Sequence, residues 1–296
     1  MASPSKVWFI TGCSSGFGKA LALEVLGRGD KVLASARSAT KLEALKGAGA
    51  TVFRLDVTSP LDDLKKMAEW ANNQYGRIDY LINNAGYCQV GGLEELTPEE
   101  TQAQFATNVF GLLNVTRAIL PYMRARRSGV IANFSSIGAW RGTPAVGIYE
   151  ASKWAVSGIT ETLRLELAEF NIKVCSIEPG YFRSDFLASG HKNLHEHVIA
   201  DYDGTAVRKT EERVERTNQN QPGDPAKGAK VIVDVLTGVT GKGRKDIPVR
   251  IALGADANRI IKGKCEETIA LLDGWKEITS STDFEAPGEV STVVPP

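Results

Sequence analysis

The sequence predicts an α/β fold: one doubly wound, parallel sheet of about seven strands with helices on both faces, in a single domain. Three observations carry this expectation. Short apolar runs alternate with longer stretches of helical period through most of the 296 residues. Most of these runs lack strict polar–apolar alternation, as expected of strands covered on both faces. A glycine-rich turn, TGCSSGFG, joins the first run to the first helical stretch.

Taken in order, the strand candidates are residues 7–10, 31–35, 51–55, 78–83, 129–134, 173–177 and 247–253. Helical patterns fall between them at 18–28, 61–75, 108–126, 146–170 and 226–236. Two regions break the rhythm. Residues 181–221 are polar and charged where a strand is due, and are expected to form a mobile lid over a substrate site. After Leu253 comes one more helical stretch and then EAPGEVSTVVPP, read as a loosely attached tail. The expected division is one domain over 1–280 and a tail over 281–296.

Composition narrows the function. Basic and acidic residues number 35 each, so electrostatic binding of nucleic acid or of an anionic membrane is not expected. Cys13, Cys88, Cys175 and Cys265 lie far apart and form no CxxC pair, which suits free thiols in a reducing compartment. MASPSK leads straight into the first strand without an apolar leader, and no run approaches a membrane span. The expectation is a cytoplasmic protein.

A glycine-rich turn between a first strand and a first helix brings bare N–H groups to a helix N-terminus, where a pyrophosphate binds. Gly12, Gly16 and Gly18 stand in that place, spaced GxxxGxG. The acid that commonly binds an adenosine ribose 2′-OH is missing from the end of the second strand, which reads Ser35-Ala36-Arg37. An arginine fork suits a 2′-phosphate instead; the plainer reading of Arg37 is a solvated charge at a helix start. Arg37 therefore carries the expectation of NADP(H) as cofactor.

These residues stand in an ordered series: TGCSSGFG, Asp56-Val57, NNAG (83–86), Asn108, Ser136, YEASK (149–153) and PGYFRS (179–184). The series resembles the short-chain dehydrogenase/reductase family, whose fold is of Rossmann type, over about residues 6–184. The resemblance implies a phosphate turn of Thr11, Gly12, Ser14, Ser15, Gly16, Phe17 and Gly18. It implies that Asp56 and Val57 flank the adenine and that Asn84, Ala85 and Gly86 line the middle of the cofactor. In Pro179-Gly180-Tyr181-Phe182-Arg183-Ser184, the Phe182 backbone and the Ser184 hydroxyl are expected at the nicotinamide carboxamide. The family often has Val and Thr at those two positions.

The resemblance also implies catalysis by Ser136, Tyr149, Lys153 and Asn108. Hydride transfer to a carbonyl builds charge on oxygen, which needs a proton and a hydrogen-bond donor. Tyr149 is the expected proton donor. Lys153, one helical turn away, is expected to lower the phenol pKa and to hold the cofactor ribose. Ser136, rather than the adjacent Ser135, has the family's spacing of thirteen residues before the tyrosine. Asn108 is read as a proton-relay residue or, alternatively, as a structural asparagine at a helix entry.

The substrate expected is a small, fairly apolar ketone or aldehyde, reduced reversibly. An NAD-dependent alcohol dehydrogenase and a non-catalytic NADP(H) sensor are the alternatives. HKNLHEH (191–197) has the HxxxH spacing of a helical metal clamp, but a lid segment is the preferred reading and no metal is expected. Cys13 is read as a small structural residue, and Trp140 as either substrate-facing or packing. The segments at 109–120 and 149–163 carry apolar residues on more than one face, which suits a homo-dimer or homo-tetramer.

Overall fold

The computed structural model describes residues 5–188, 191–240 and 243–284. Its main strands are β1 (Val7–Ile10), β2 (Lys31–Ala36), β3 (Thr51–Arg54), β4 (Tyr80–Asn83), β5 (Gly129–Phe134), β6 (Ile172–Pro179) and β7 (Arg250–Leu253). All pair in parallel, in the order β3-β2-β1-β4-β5-β6-β7. The helices are α1 (Gly16–Gly27), α2 (Glu43–Gly47), α3 (Leu61–Tyr75), α4 (Pro98–Phe105), α5 (Leu112–Arg126), α6 (Gly147–Glu166), α7 (Ala206–Thr217), α8 (Pro225–Thr237) and α9 (Ala255–Thr279). The order of strands reverses beside β1, and the carboxyl ends of the strands there open the crevice in which such sheets bind ligands.

The unbroken apolar strands are explained by two cores, one on each face. In β1, Trp8 and Ile10 pack with Leu21 and Val25 of α1 and Ile232 of α8, whereas Val7 and Phe9 pack with Leu64 and Ala68 of α3 and Ile119 of α5. Period-two geometry sends alternate side chains to opposite faces, and both faces are dry. Each large side chain buried in this way contributes roughly 1.5–3 kcal/mol. The seventh strand begins at Arg250, three residues later than expected, and the fourth begins at Tyr80. Ahead of the fourth strand, the Asp79 carboxylate accepts the Val7 N–H at 2.9 Å and pairs with Arg77 and Arg126.

Helix α4 is absent from the sequence expectation. Thr97-Pro98-Glu99-Glu100 starts it with a capping box: Thr97 Oγ1 accepts the Glu100 N–H at 3.1 Å, and Glu100 Oε2 accepts the Thr97 N–H at 2.8 Å. Between α4 and α5 the backbone widens into a π-helical stretch, Ala106–Gly111. Such bulges re-aim side chains and concentrate at functional sites; this one carries Asn108.

The polar region at 181–221 folds into a short strand, Lys192–Leu194, parallel to Cys88–Val90, and into α7. Charge anchors it where apolar residues are few. Glu95, buried ahead of α4, ion-pairs with Arg208 of α7 and accepts the Ile199 N–H at 2.9 Å. Arg208 also pairs with Glu211, Lys192 with Glu215, and His195 Nε2 lies 3.1 Å from Glu211. At the other end of the molecule every residue from Glu266 to Phe284 is exposed. The EAPGEVSTVVPP tail lies outside the described residues. Among the described residues, no helix is long and apolar enough to cross a membrane.

Candidate active site

A cavity of about 680 Å³ lies at the carboxyl ends of the strands. Its floor at one end is the glycine turn. Gly12 has φ +72° and Gly16 φ +53°, a left-handed conformation that side chains resist. A Cβ on Gly12 would lie 2.9 Å from Ala85 Cα, so the turn closes on the NAG loop. Gly12, Ser14, Ser15, Gly16 and Phe17 line the cavity at the start of α1, and Asn84, Ala85 and Gly86 line it beside them.

Two residues of the expected phosphate turn do other work. Thr11 is buried below the cavity wall, where its Oγ1 accepts the N–H groups of Asn84 and Ala85 at 3.0 Å each. Gly18 is buried within α1; a Cβ there would stand 2.3 Å from the Gly12 carbonyl oxygen. Both shape the turn, and neither faces the cavity. Cys13 is fully buried with its Sγ 3.2 Å from the Ile10 carbonyl, and burial pushes its thiol up to about 12. It is a small core residue.

Farther along, Arg37, Asp56 and Val57 line the same cavity. Arg37 is exposed at the end of β2, without an ion-pair partner among the described residues. Burial alone would raise the Asp56 pKa, but hydrogen bonds from the Thr58 N–H and hydroxyl, with Arg37 and Arg54 nearby, hold it below the ordinary value. Pro179, Gly180, Phe182 and Ser184 form the edge beyond β6. The Phe182 ring packs on Phe17 at 4.8 Å between centroids, an aromatic contact that ties this edge to the glycine turn.

Ser136, Tyr149 and Lys153 line the cavity together. Ser136 follows β5 and caps the turn Ile137–Ala139, its Oγ accepting the Gly138 N–H at 3.0 Å. Ser135 points its hydroxyl elsewhere, to the Lys153 carbonyl at 3.0 Å and to Ser157 Oγ at 2.8 Å. Lys153 Nζ donates to the Phe134 carbonyl at 2.8 Å and lies 5.6 Å from the Tyr149 ring centroid.

The electrostatics differ from the expectation. Burial raises the Tyr149 pKa, and hydrogen bonding with Ser136 opposes that rise only in part. Burial also pulls Lys153 down to about 8. The lysine does not overcome the desolvation of the phenol here, because its own ammonium is desolvated and directed at a backbone carbonyl.

Asn108 is buried behind the cavity wall. Its Oδ1 accepts the Tyr87 N–H, and its Nδ2 donates to the Tyr87 carbonyl and to Ser152 Oγ, all at 3.1 Å. Ser152 in turn donates to the Tyr149 carbonyl at 2.6 Å. Asn108 thus joins the loop after Gly86 to the start of α6.

The histidine segment is strand and turn, which separates its members. His191 faces Ser15 Oγ at 3.2 Å and lines the cavity, while His195 turns to Glu211. The HxxxH pair therefore forms no helical clamp. Ligand atoms of Glu95, His195 and Glu211 do lie within 4.8 Å of one another, but Arg208 bridges both carboxylates and supplies the compensating charge. Trp140 packs: its Nε1 donates to Glu178 at 2.8 Å, and the Arg250 guanidinium lies 4.7 Å from its ring centroid. His191, Arg141 and Tyr181 also line the cavity. Sequence reasoning missed them as individual site residues, since their places depend on long-range packing of a polar segment.

A family model described as short chain dehydrogenase matches residues 6–194. The chain is 34% identical over 280 residues to oxidoreductase BOA17 of Botryotinia fuckeliana, covering 93% of this chain and 98% of that one. A short-chain dehydrogenase structure from Streptomyces avermitilis superposes with TM-score 0.85 at 37% identity, covering 96% of this chain and all of that one. The 3-ketoacyl-(acyl-carrier-protein) reductase of Brucella melitensis, solved with NADH, matches at TM-score 0.68 and 25% identity over 84% of this chain and 97% of that one. With its seven-stranded sheet, glycine turn and family match together, the chain belongs to the short-chain dehydrogenase/reductase family and is an oxidoreductase of small carbonyl or alcohol compounds.

Proposed function

We propose that this protein is an NADP(H)-dependent carbonyl reductase, reversibly an alcohol dehydrogenase, with Tyr149 as the proton donor. The observation that carries the proposal is one cavity lined by the glycine turn at one end and by Ser136, Tyr149 and Lys153 at the other. The bare backbone of Gly12 and Gly16 fits a dinucleotide pyrophosphate, and the unpaired Arg37 fits a 2′-phosphate. When bound, the cofactor supplies the hydride.

The side chains then act as follows. Ser136 donates to the substrate oxygen, where negative charge grows as the hydride arrives. Tyr149 gives its phenolic proton to that oxygen. A phenol raised by burial holds its proton firmly until the oxygen becomes the stronger base, and Lys153 steadies the phenolate left behind. Asn108 belongs to the proposal as a relay residue behind the lysine: a Cβ on Gly86 would lie 3.0 Å from Asn108 Oδ1 and 3.7 Å from Lys153 Nζ. Phe182 and Ser184 are the proposed contacts of the nicotinamide end.

Residues 181–221 are proposed as the substrate cover, latched by Glu95 and Arg208. The exposed Phe110, Trp154 and Leu165 support a homo-oligomer through the π-helical stretch and α6. The unpaired cysteines support a cytoplasmic setting.

Single-turnover hydride transfer from NADPH tests the catalytic assignment. Tyr149→Phe should slow it by ~10²–10⁴-fold while NADPH still binds. Ser136→Ala should reduce kcat, and Ser135→Ala should act more mildly, through packing of α6. A folded Tyr149→Phe protein within threefold of the parent would overturn the assignment.

A further inference from the structure

The cavity wall carries three arginines without a direct ion pair among the described residues, with Glu150 in the same wall. Arg141, Arg213 and Arg259 line the cavity from three separate elements: the loop after Ser136, α7 and α9. None of the three forms an ion pair among the described residues; Arg141 is half-buried, and Arg213 and Arg259 are exposed where they border the cavity.

Arg141 is the most telling. Its guanidinium donates to the Tyr181 hydroxyl at 3.2 Å, yet its Nε is buried with no acceptor. Protein seals the Nε from the cavity, so the terminal nitrogens of this half-buried side chain are the donors that face a cavity ligand. Glu150 lines the same cavity and feels the Arg141 charge without a direct ion pair, and each neighbouring carboxylate has one oxygen engaged by backbone. Glu150 Oε2 accepts the Thr143 N–H at 2.6 Å, and Asp256 Oδ2 accepts the Tyr181 N–H at 2.7 Å. That last bond also fixes where Arg259 stands, since it follows Asp256 by one turn of α9, and α9 packs on the Ile137–Ala139 turn beside Ser136. Arg141, Tyr181 and Arg259 are thereby gathered next to the proposed oxygen-binding serine. Ile137, Phe186, Leu187, Val214 and Ile260 supply apolar wall, interspersed with Thr143, Glu150, Thr210, Thr217 and Gln221.

We infer that the substrate is an amphipathic carbonyl compound: an apolar body with a terminal anionic group, a carboxylate or a phosphate, held by Arg141 and Arg259 with Arg213 contributing from α7. This inference rests on the reductase reading for the carbonyl, but the anion site itself does not require turnover. The apolar wall takes the carbon skeleton, and the arginine forks select the charged end. Neutral ketones of the same shape should bind more weakly, because they gain no charge-assisted bonds from the guanidinium groups.

The test is binding to the 296-residue chain, with and without saturating NADP⁺, by calorimetry. The probes are three keto acids, levulinate, 4-acetylbenzoate and 7-oxooctanoate, each beside its neutral primary amide, with 4-acetylphenyl phosphate as the phosphate arm. At least one anion should bind roughly tenfold or more tightly than its neutral partner, as charge-assisted bonds of this kind allow. The ratio should shrink with added salt. Arg141→Gln and Arg259→Gln should each drive the ratio toward one. A tighter phosphate than carboxylate would name the headgroup. Equal affinities of acids and amides, including no binding by any, would overturn the inference. So would variants that lose NADPH affinity in proportion, since the arginines would then serve the cofactor. Anion selectivity without hydride transfer to any probe would leave the anion site standing and count against the reductase reading.

Discussion

Lys153 offers a sharp physical test, because its proposed catalytic position should carry a stability cost with a defined pH dependence. Burial lowers its pKa from 10.5 to about 8. Every tenfold loss of proton affinity corresponds to about 1.36 kcal/mol, so the buried ammonium destabilises the fold by at most ~3 kcal/mol at neutral pH. The sign follows from proton counts. Between about 8 and 10.5 the unfolded chain holds the lysine proton and the folded chain has released it. Stability therefore rises with pH across that window. Below about 8 both states are protonated and the penalty is present in full; above 10.5 both are neutral and it is gone.

Lys153→Met keeps the length of the side chain and removes the charge. It also removes the bond from Nζ to the Phe134 carbonyl at 2.8 Å, and an unmet buried acceptor costs ~1–3 kcal/mol. The net gain at pH 7 should thus be small, about 0–2 kcal/mol. The slope is the diagnostic quantity. Urea unfolding of both proteins at intervals from pH 7 to pH 10.5 should show the parent gaining up to ~3 kcal/mol relative to the variant. A difference constant over that range, or one moving the other way, would refute the claim that folding places a charged lysine in a dry site. Activity should fall in the variant throughout, which separates the catalytic role of the lysine from its effect on stability.

The sequence made the sheet legible because most strands are covered on both faces, and seven largely apolar runs without strict alternation mark them. Gly12 and Gly16 were legible for the same reason that they are needed: both hold a left-handed conformation that side chains resist. Thr11 and Gly18 belong to the same motif, yet proximity in sequence does not tell a lining residue from a supporting one. Thr11 faces down onto the Asn84 and Ala85 N–H groups, and Gly18 faces back onto the Gly12 carbonyl. Asn108 was singled out in the sequence, but not as the centre of a π-helical stretch, since that widening has no signature in hydrophobic period. The Tyr149 pKa could not be read at all. Its sign depends on competition between burial and charge, and only the packed site decides it. The capping box at Thr97 was present in the sequence as TPEE and marks α4 plainly. The Glu95–Arg208 anchor was not, because ion pairs between distant segments follow no local rule.

Three further perturbations probe these particulars. Arg37→Asp should erase or reverse a preference for NADPH over NADH, which one or two charge-assisted bonds put at roughly 10–150-fold; equal kcat/KM for the two cofactors in the parent would remove Arg37 from the cofactor site. Gly18→Ala should weaken NADPH binding at least about tenfold and lower Tm, because its Cβ would stand 2.3 Å from the Gly12 carbonyl; unchanged affinity would mean that the turn can shift without loss. The last concerns the cover. Arg208 holds the Glu95 carboxyl down to about 2, with burial opposing and the Ile199 N–H assisting. The group is ionised when paired, so its contribution is present above its ordinary value of 4.5 and is lost as pH falls toward 2. Glu95→Gln keeps the shape and cancels the charge, leaving Arg208 with Asp203 and Glu211. Trypsin at neutral pH should then cut within 181–221 faster than in the parent. Acidification of the parent toward pH 3 should loosen the same segment, read by hydrogen exchange, before the sheet opens. NADP(H) and ligand should protect the parent segment in both assays. If Glu95→Gln leaves the cleavage rate and the exchange pattern of residues 181–221 unchanged, the ion pair is incidental, and the apolar contacts of Val207 and Phe186 with the Tyr149 cluster hold the cover instead.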